Sequence, residues 1–280
     1  MIRRLRLMLC ILFCMAVLPC TALADTGPKP VVTIRVVNAP EGAYYLDLLI
    51  TDPGRSANIE VSEYDPGLVD GLRSWEAEGW YPALVEGTDP PLFGDLRPNA
   101  DGSHRFTYHG LPRTFRIAVS SAQGAQATEE AFTRTVFYTE LTYDWKSNTI
   151  TQATSTAGFY LTQLASTLAP TLVVEGVLLW LFGFRRRRDW LVFLAVNLVT
   201  QAGLHLCIGT TLVAVGSHPL YYLMLAPVEV IILLVECVAY AFLLEEHGRG
   251  RRAGYAVCAN LASYAVGYLP LHLAVQFLGR

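Results

Sequence analysis

The fold is decided by residues 171–201, which read TLVVEGVLLWLFGFRRRRDWLVFLAVNLVTQ. Four arginines, Arg185–Arg188, separate two apolar runs in this stretch, and each run is long enough to cross the ~30 Å hydrocarbon core of a bilayer. Two similar runs follow towards the C-terminus. The sequence therefore predicts four transmembrane helices, over residues 159–184, 190–215, 220–244 and 254–277.

The composition of the chain agrees with a membrane location. Of its 280 residues, 52% are hydrophobic and only 16% are charged, which is too apolar for a single soluble domain. The apolar residues are concentrated after Phe159. We expect two domains, one in water and one in lipid, and the formal net charge of -3 gives no reason to expect a nucleic-acid partner.

The basic residues indicate how the predicted helices are oriented. Arg185–Arg188 lie between the first and second spans, and Arg249, Arg251 and Arg252 lie between the third and fourth. The loop over residues 216–219 has no lysine or arginine. Because positively charged loops stay in the cytoplasm, the sequence predicts a multi-pass protein of the plasma membrane with both ends of the mature chain outside.

The N-terminus has the three parts of a signal peptide. Three arginines among the first six residues precede a short apolar core over residues 7–18, and Ala22-Leu23-Ala24 matches the rule for cleavage. We expect residues 1–24 to be removed. Two alternatives stay open: lipidation at Cys20, which Pro19 disfavours, and an uncleaved fifth span, for which the core is shorter than the ~20 residues required.

Residues 25–156 are predicted to form a β-rich extracytoplasmic domain. Apolar stretches of strand length alternate with turn formers such as Pro40-Glu41-Gly42, a spacing typical of a small β-sandwich. Because this domain contains no cysteine, its own core must stabilise it. The predicted strands are Val32–Val36, Tyr44–Thr51, Thr114–Val119 and Val136–Tyr138, with a short helix over Leu68–Glu78.

The aromatic residues of this domain allow two interpretations. Trp75, Trp80 and Tyr81 are large enough to form a binding surface for sugar or peptide, but such side chains more often belong to the core of a small sandwich. His104 and His109 straddle a further predicted strand at an odd spacing, so they point to opposite faces and cannot share a metal ion there.

Six polar residues interrupt the predicted spans. A charged side chain at mid-helix costs at least ~2.5 kcal/mol in lipid, so we expect these side chains to face one another inside a four-helix bundle. Counting the helical rise from the cytoplasmic ends places one polar residue of each helix at a common depth: Glu175, Asn197, Glu236 and Asn260. Gln201 and Glu229 lie on the same helix faces as Asn197 and Glu236.

Two interpretations of this intramembrane polar layer stay open. Amides and neutral glutamates hydrogen-bond helices together, but three carboxyls exceed what such packing needs and are typical of a proton or cation path. Glu245-Glu246 resembles the motif of an intramembrane glutamate protease only superficially, because it lies at the cytoplasmic boundary. The sequence predicts no catalytic residue, metal site or cofactor site.

Several stretches of the predicted spans resemble a known family. The chain is similar to an uncharacterised family of bacterial membrane proteins, frequent in Clostridia-like Gram-positive organisms. The resemblance implies a leader, an outer β domain and four spans, with glutamates and asparagines at the same positions, but it implies no activity. The stretches of the spans that carry it are Thr171–Gly176, Leu181–Arg185, Val196–Gln201, Val228-Glu229 with Glu236, and Tyr255–Ser263. The outer domain resembles the family more loosely, through His104–Phe106 and Pro112–Ile117.

The predicted function follows from this domain organisation. We expect an α+β membrane protein whose outer domain binds or senses something at the cell surface while the helices anchor it or relay a signal. Its motifs favour a role other than that of an enzyme. The bilayer and a membrane or cell-surface protein are its expected partners. The alternative is a component of proton- or cation-coupled transport that uses the intramembrane carboxyls.

Overall fold

The structure, a computed structural model, describes the backbone of residues 29–153, 155–215 and 219–278. Within helices its side chains are described up to residue 206 and again at 228 and 230–263. The leader predicted over residues 1–24 lies outside the described residues. The described chain is an α+β protein with two β-sheets and five α-helices.

The chain divides into two compact units. The first, called the β unit, is formed mainly by Lys29–Phe159, and the second, called the helical unit, is formed mainly by Tyr160–Ile208 and residues 219–278. Each unit has its own apolar cluster of buried side chains.

The first sheet of the β unit has four strands in the order β4-β1-β8-β9. Strand β1 pairs antiparallel with β4 and parallel with β8, and β8 pairs antiparallel with β9. The parallel pair joins segments that are far apart in sequence, beginning at Val31 opposite Tyr138. The four strands are β1 (Val31–Val37), β4 (Ser103–Thr107), β8 (Tyr138–Asp144) and β9 (Thr149–Gln152).

The second sheet is antiparallel throughout, in the order β3-β2-β5-β6, and the short strand β7 also pairs with β5. All seven residues of β2 are buried, rather than every second one, because helix α1 (Pro66–Leu72) packs against β2 and β5. The strands of this sheet are β2 (Tyr44–Ile50), β3 (Tyr81–Pro82), β5 (Thr114–Ser121), β6 (Gly124–Ala127) and β7 (Phe132–Thr133).

Side chains from both sheets belong to one apolar core. Ile34 of β1 and Phe106 of β4 are fully buried in the same cluster as Leu46 of β2 and Ile117 of β5. Burying apolar area of this kind is the main favourable contribution to folding, at roughly 25 cal/mol per Å². The β unit therefore has a core without disulfides.

The predicted helix over Leu68–Glu78 is present as two segments. Helix α1 begins where Asp65 accepts a 3.0 Å hydrogen bond from the main-chain N–H of Leu68, with Pro66 in the first turn. A 3₁₀ helix, Arg73–Glu78, then continues to Gly79, whose φ of 80° ends it. The predicted strand over Val136–Tyr138 contributes only its last residue to β8.

The helical unit contains most of each of the four long helices. Each predicted span lies largely within one of them, and in the described residues two segments are long and apolar enough to cross a membrane, Thr156–Leu181 and Arg187–Leu206, while Val230–Leu243 is a shorter apolar stretch. The helices are α2 (Thr156–Leu181), α3 (Arg187–Val215), α4 (Pro219–Leu243) and α5 (Arg249–Leu278).

A glycine ends the first long helix. Gly183 has a φ of 91°, and the main-chain N–H of Phe184 donates to the carbonyl of Leu179 at 3.2 Å. This is the Schellman arrangement, in which a residue in the left-handed region closes the last turn. It turns the chain directly into the arginine-rich segment that precedes α3.

The helical unit exposes apolar side chains and buries polar ones. Val173, Val199 and Phe242 are 67%, 71% and 67% exposed, whereas Glu175 and Asn197 are 1% and 0% exposed. A water-soluble domain shows the opposite distribution, since large exposed apolar areas mark contact with a partner or with lipid.

Candidate functional site

Glu175 of α2 is held by donors from two other helices. Its Oε2 accepts a hydrogen bond from Asn197 Nδ2 of α3 at 3.0 Å, and its Oε1 accepts one from Ser263 Oγ of α5 at 2.9 Å. Tyr255 of α5 donates to the main-chain oxygen of the same glutamate at 3.4 Å. The carboxyl thus links α2, α3 and α5.

Glu236 of α4 is held in the same way and is 1% exposed. Its Oε1 accepts a hydrogen bond from Thr200 Oγ1 of α3 at 2.7 Å, and its Oε2 accepts one from Asn260 Nδ2 of α5 at 2.7 Å. Together with Glu175, these contacts join all four long helices through polar side chains.

The two halves of this site follow one pattern. Asn197-Leu198-Val199-Thr200 of α3 and Asn260-Leu261-Ala262-Ser263 of α5 both present an amide and a hydroxyl three residues apart, on one helix face. Each glutamate takes its amide donor from the helix that follows it in sequence and its hydroxyl donor from the other helix pair. We call these six side chains the carboxyl cluster: Glu175, Asn197, Thr200, Glu236, Asn260 and Ser263.

Asn197 also contacts an aromatic residue beside the cluster. Its Nδ2 lies 2.9 Å from Tyr240 Oη of α4 and 3.2 Å from the main-chain oxygen of Phe193. Its Oδ1 is buried and has no hydrogen-bond partner among the residues described. Tyr240 and Tyr255 pack on each other beside the cluster, with ring centroids 5.3 Å apart.

The cluster has no positive charge to balance its carboxyls. In the part of the chain that the structure describes, neither Glu175 nor Glu236 forms an ion pair with a basic side chain, and no group of three or more His, Cys, Asp or Glu side chains is suited to hold a metal ion. Buried carboxyls with only neutral donors are unusual, because burial strongly disfavours an unpaired charge.

The structure brings together four of the six residues that the sequence singles out: Glu175, Asn197, Glu236 and Asn260. Gln201 is half-buried and takes part in none of the described hydrogen bonds. Glu229 lies in α4, but its side chain lies outside the described residues.

Sequence reasoning missed Thr200, Tyr240 and Tyr255. The repeated pattern of asparagine, leucine, any residue, and serine or threonine would have found Thr200, because it occurs once in α3 and once in α5. The two tyrosines have no such signal, since an aromatic residue in an apolar helix is compatible with ordinary packing.

A second polar group of side chains joins the ends of the helices at the arginine-rich turns. Asp189 of α3 is fully buried and accepts hydrogen bonds from the main-chain N–H groups of Glu245 and Glu246 at 2.8 and 3.2 Å. In return, the Glu246 carboxylate accepts the main-chain N–H groups of Arg185 and Arg186. These hydrogen bonds lower the pKa of Glu246.

The arginines around Asp189 and Glu246 form several further contacts. Glu245 forms ion pairs with Arg186 and Arg188. Arg252 donates to the main-chain oxygens of Ala241, Glu245 and Glu246 and so binds the carbonyl end of α4. The turn between α2 and α3 and the turn between α4 and α5 are therefore fastened to each other.

A buried carboxylate also organises the β unit. Asp47 of β2 is fully buried and accepts main-chain N–H groups from Leu48 at 2.7 Å, from Leu84 at 2.9 Å and from Val85 at 3.3 Å. Burial raises the pKa of Asp47 to about 7, while these main-chain donors act in the opposite direction. Its position explains how the segment after β3 is held against β2.

The candidate aromatic residues of the β unit contribute to packing. Trp75, Trp80 and Tyr81 are half-buried and pack against the apolar core, and Arg116 lies 5.3 Å from the ring centroid of Trp80. These contacts favour the core interpretation over a binding surface. His104 is fully buried in β4, and burial lowers its pKa to about 4.

Another aromatic pair is more accessible. Phe93 is 52% exposed and stacks on Tyr108, with ring centroids 4.2 Å apart and an interplanar angle of 17°. Tyr108 has a φ of 89°, a region that bulky residues rarely adopt. Strain of this kind is found preferentially where a side chain has to be presented for a function.

The comparisons with known proteins give no match: no family model, no curated protein and no solved structure is similar to the chain. The resemblance to a Clostridia-like family therefore stays a prediction. The chemistry of the protein has to be inferred from its own side chains, and the carboxyl cluster is the most specific arrangement that they form.

Proposed function

We propose that the helical unit is a transmembrane bundle of four helices. The observation that carries this proposal is that carboxyls and amides are buried inside the unit while valines, leucines and Phe242 are exposed on its surface. Lipid is the solvent that favours this distribution. Two described segments of sufficient length and hydropathy support it.

In this proposal the β unit is an extracytoplasmic, sandwich-like domain, and the arginine-rich turns face the cytoplasm. The support is the positive-inside rule together with the predicted signal peptide. The shared apolar core of the two sheets favours the sandwich. The protein then belongs to the plasma membrane, with both ends of the mature chain outside.

The function that this arrangement supports best is binding or sensing at the cell surface, with the helices as anchor or relay. Phe93 offers the contact surface, because an exposed aromatic ring stacked on the half-buried Tyr108, whose backbone is strained, suits the apolar face of a ligand or of a cell-surface protein. The proposed partners are therefore the bilayer and one extracytoplasmic molecule.

A photo-crosslinking amino acid at position 93 of the full chain tests this function in intact cells. We expect one defined cross-linked product at position 93 and none at the exposed control position Gln123. Tyr108→Ala should remove the product without changing the amount of protein in the membrane. Equal cross-linking at both positions, or none at position 93, would contradict a binding surface there.

A second candidate function is proton- or cation-coupled transport. The observation that favours it is the pair of buried carboxyls, Glu175 and Glu236, without a basic partner among the described residues. Flux of protons and of Na⁺ into liposomes tests it directly. Flux should be present in the native protein and lost in Glu175→Gln and Glu236→Gln, and its absence from the native protein would exclude transport by this chain alone.

A further inference from the structure

Around Asn197, the carboxyl cluster has more hydrogen-bond acceptors than donors. The amide nitrogen of Asn197 carries two hydrogens, but three acceptors lie within 3.2 Å of it: Glu175 Oε2, Tyr240 Oη and the Phe193 main-chain oxygen. The fully buried Asn197 Oδ1 accepts nothing from the described part of the chain. Because burial disfavours two carboxylate charges that have only neutral donors, a bound proton, which brings both a hydrogen and a positive charge, is favoured on these carboxyls.

Each carboxyl also faces one hydroxyl that has a second acceptor. Ser263 Oγ lies 2.9 Å from Glu175 Oε1 and 3.2 Å from the main-chain oxygen of Asn260. Thr200 Oγ1 lies 2.7 Å from Glu236 Oε1 and 3.0 Å from a main-chain oxygen one turn earlier in α3. A hydroxyl both donates and accepts, so each carboxyl keeps a partner whether it is charged or neutral.

We infer that Glu175 and Glu236 form a reversible proton-binding pair, with Ser263 and Thr200 as hydroxyl partners that reverse direction. When a proton binds to Glu175 Oε1, the Ser263 O–H turns to the main-chain oxygen of Asn260, and the new carboxyl O–H donates to Ser263 Oγ. Release of the proton reverses both movements. Thr200 plays the same part for Glu236. The inference deepens the transport candidate and rests on it for the use that the proton serves.

A proton fits this site better than a metal ion. All four carboxyl oxygens already accept an N–H or O–H group, so a metal ion would meet hydrogens where it needs lone pairs. A proton needs only one lone pair, and the hydroxyls can accept the hydrogen bond that it creates. Metal ions of the hard type take six or more oxygen ligands, which the cluster does not present.

The other titratable groups around the pair are few in the described residues. Tyr255 of α5 contacts the main chain of Glu175, Tyr240 of α4 contacts the amide of α3, and Cys237 adjoins Glu236 on α4. Helix α3 contributes an amide and a hydroxyl, which do not titrate. A pH-dependent carboxyl signal from this cluster therefore reports the two glutamates.

Infrared spectroscopy of the full chain in detergent tests the inference. As the pH is lowered, the native protein should gain a C=O band of protonated carboxyls that shifts in D₂O. Difference spectra should show that Glu175→Gln and Glu236→Gln each remove one component of this band. Ser263→Ala and Thr200→Val should each shift the frequency of one component, because a hydrogen bond to it is lost.

Ser166→Ala is the matched control, because its exposed hydroxyl donates within α2 to the Gln163 main-chain oxygen and contacts neither carboxyl. A band that neither Gln variant reduces would overturn the inference. So would loss of the band when Na⁺ replaces choline at constant pH, because an alkali ion would then occupy the site. If the Gln variants fail to fold, the two hydroxyl variants still decide the question, because only a carboxyl bonded to Ser263 or Thr200 changes frequency when that hydroxyl is removed.

These results separate the proton pair from the proposed functions. If the band is absent but protons enter the liposomes, the proton-binding pair is refuted and the transport candidate is retained. If the band behaves as expected but the protein shows no flux, only the transport candidate is refuted. The bound proton then serves the relay of a signal or the stability of the bundle.

Discussion

Single residues of this protein show how burial decides the behaviour of a polar group. Asp47, Glu175 and Asp189 are all buried carboxyls, but Asp47 and Asp189 are held by main-chain N–H groups and Glu175 by side chains from other helices. Main-chain donors hold the backbone of a loop or turn against the carboxyl, whereas side-chain donors join the faces of packed helices. The consequences of replacing them differ accordingly.

At Asp47 we predict a pH-dependent local stability. Because its pKa is raised from 3.8 to about 7 in the folded protein, its contribution is fully present below pH 3.8 and is lost as the pH rises through about 7. Hydrogen exchange at the Leu84 and Val85 amides should report this fall in the native protein. Asp47→Asn should show no such fall, since its amide does not titrate.

His104 contributes to stability with the opposite pH dependence, and the Asp47→Asn variant retains this contribution. Its pKa is lowered from 6.5 to about 4, so its contribution is present above pH 6.5 and is lost as the pH falls through about 4. Subtracting the pH dependence of exchange in Asp47→Asn from that in the native protein removes the contribution of His104. If that difference did not change between pH 4 and 7, the Asp47 assignment would be wrong.

At Asn197 we predict a loss of stability that its neighbour on α3 does not share. Asn197→Leu leaves Glu175 Oε2 without its 3.0 Å donor, and an unsatisfied buried group costs about 1–3 kcal/mol. Gln201→Leu, which removes none of the described hydrogen bonds, should change stability by less than about 0.5 kcal/mol. Unfolding in mixed micelles measures both, and equal losses would contradict the prediction.

The secondary-structure elements differ in how far the sequence predicts them. The four long helices are predicted by their long apolar runs, and β1 is predicted by its alternation of apolar and polar residues. Strand β4 is predicted only through the strand expected between His104 and His109, because Ser103 and His104 are polar residues that are nevertheless buried. Strand β9 is polar and half-exposed, so it has no hydrophobic period at all.

Between elements, the reciprocal pairing of Asp189 and Glu246 should matter more than the ion pairs beside it. Asp189→Ala leaves the main-chain N–H groups of Glu245 and Glu246 without their acceptor, so we expect a loss of about 1–3 kcal/mol. Asp189→Asn retains one acceptor oxygen and should lose less. Thermal unfolding in detergent is the measurement.

Glu245→Gln is the control for that prediction. It removes only ion pairs to exposed arginines, which contribute at most about 1 kcal/mol. A larger effect at Glu245 than at Asp189 would show that charge, rather than main-chain hydrogen bonding, joins the two turns.

At the scale of the whole molecule, the sequence predicts the separation into two units and four of the cluster residues, but not their exact partners. Depth along a helix can be counted from the ends, and this brings Glu175, Asn197, Glu236 and Asn260 to one level. Which hydroxyl faces which carboxyl depends on helix rotation and packing. The parallel pairing of β1 with β8 is equally inaccessible, because its partners are separated by most of the β unit.

The central claim is that the helical unit spans a membrane with its arginine-rich turns inside, and cysteine labelling tests it most directly. In a chain whose own cysteines are replaced, intact cells are treated with a membrane-impermeant maleimide. Lys146→Cys, exposed in the β unit, should be labelled, whereas Arg187→Cys should be labelled only after the membrane is opened. Labelling of Arg187→Cys in intact cells would contradict the account.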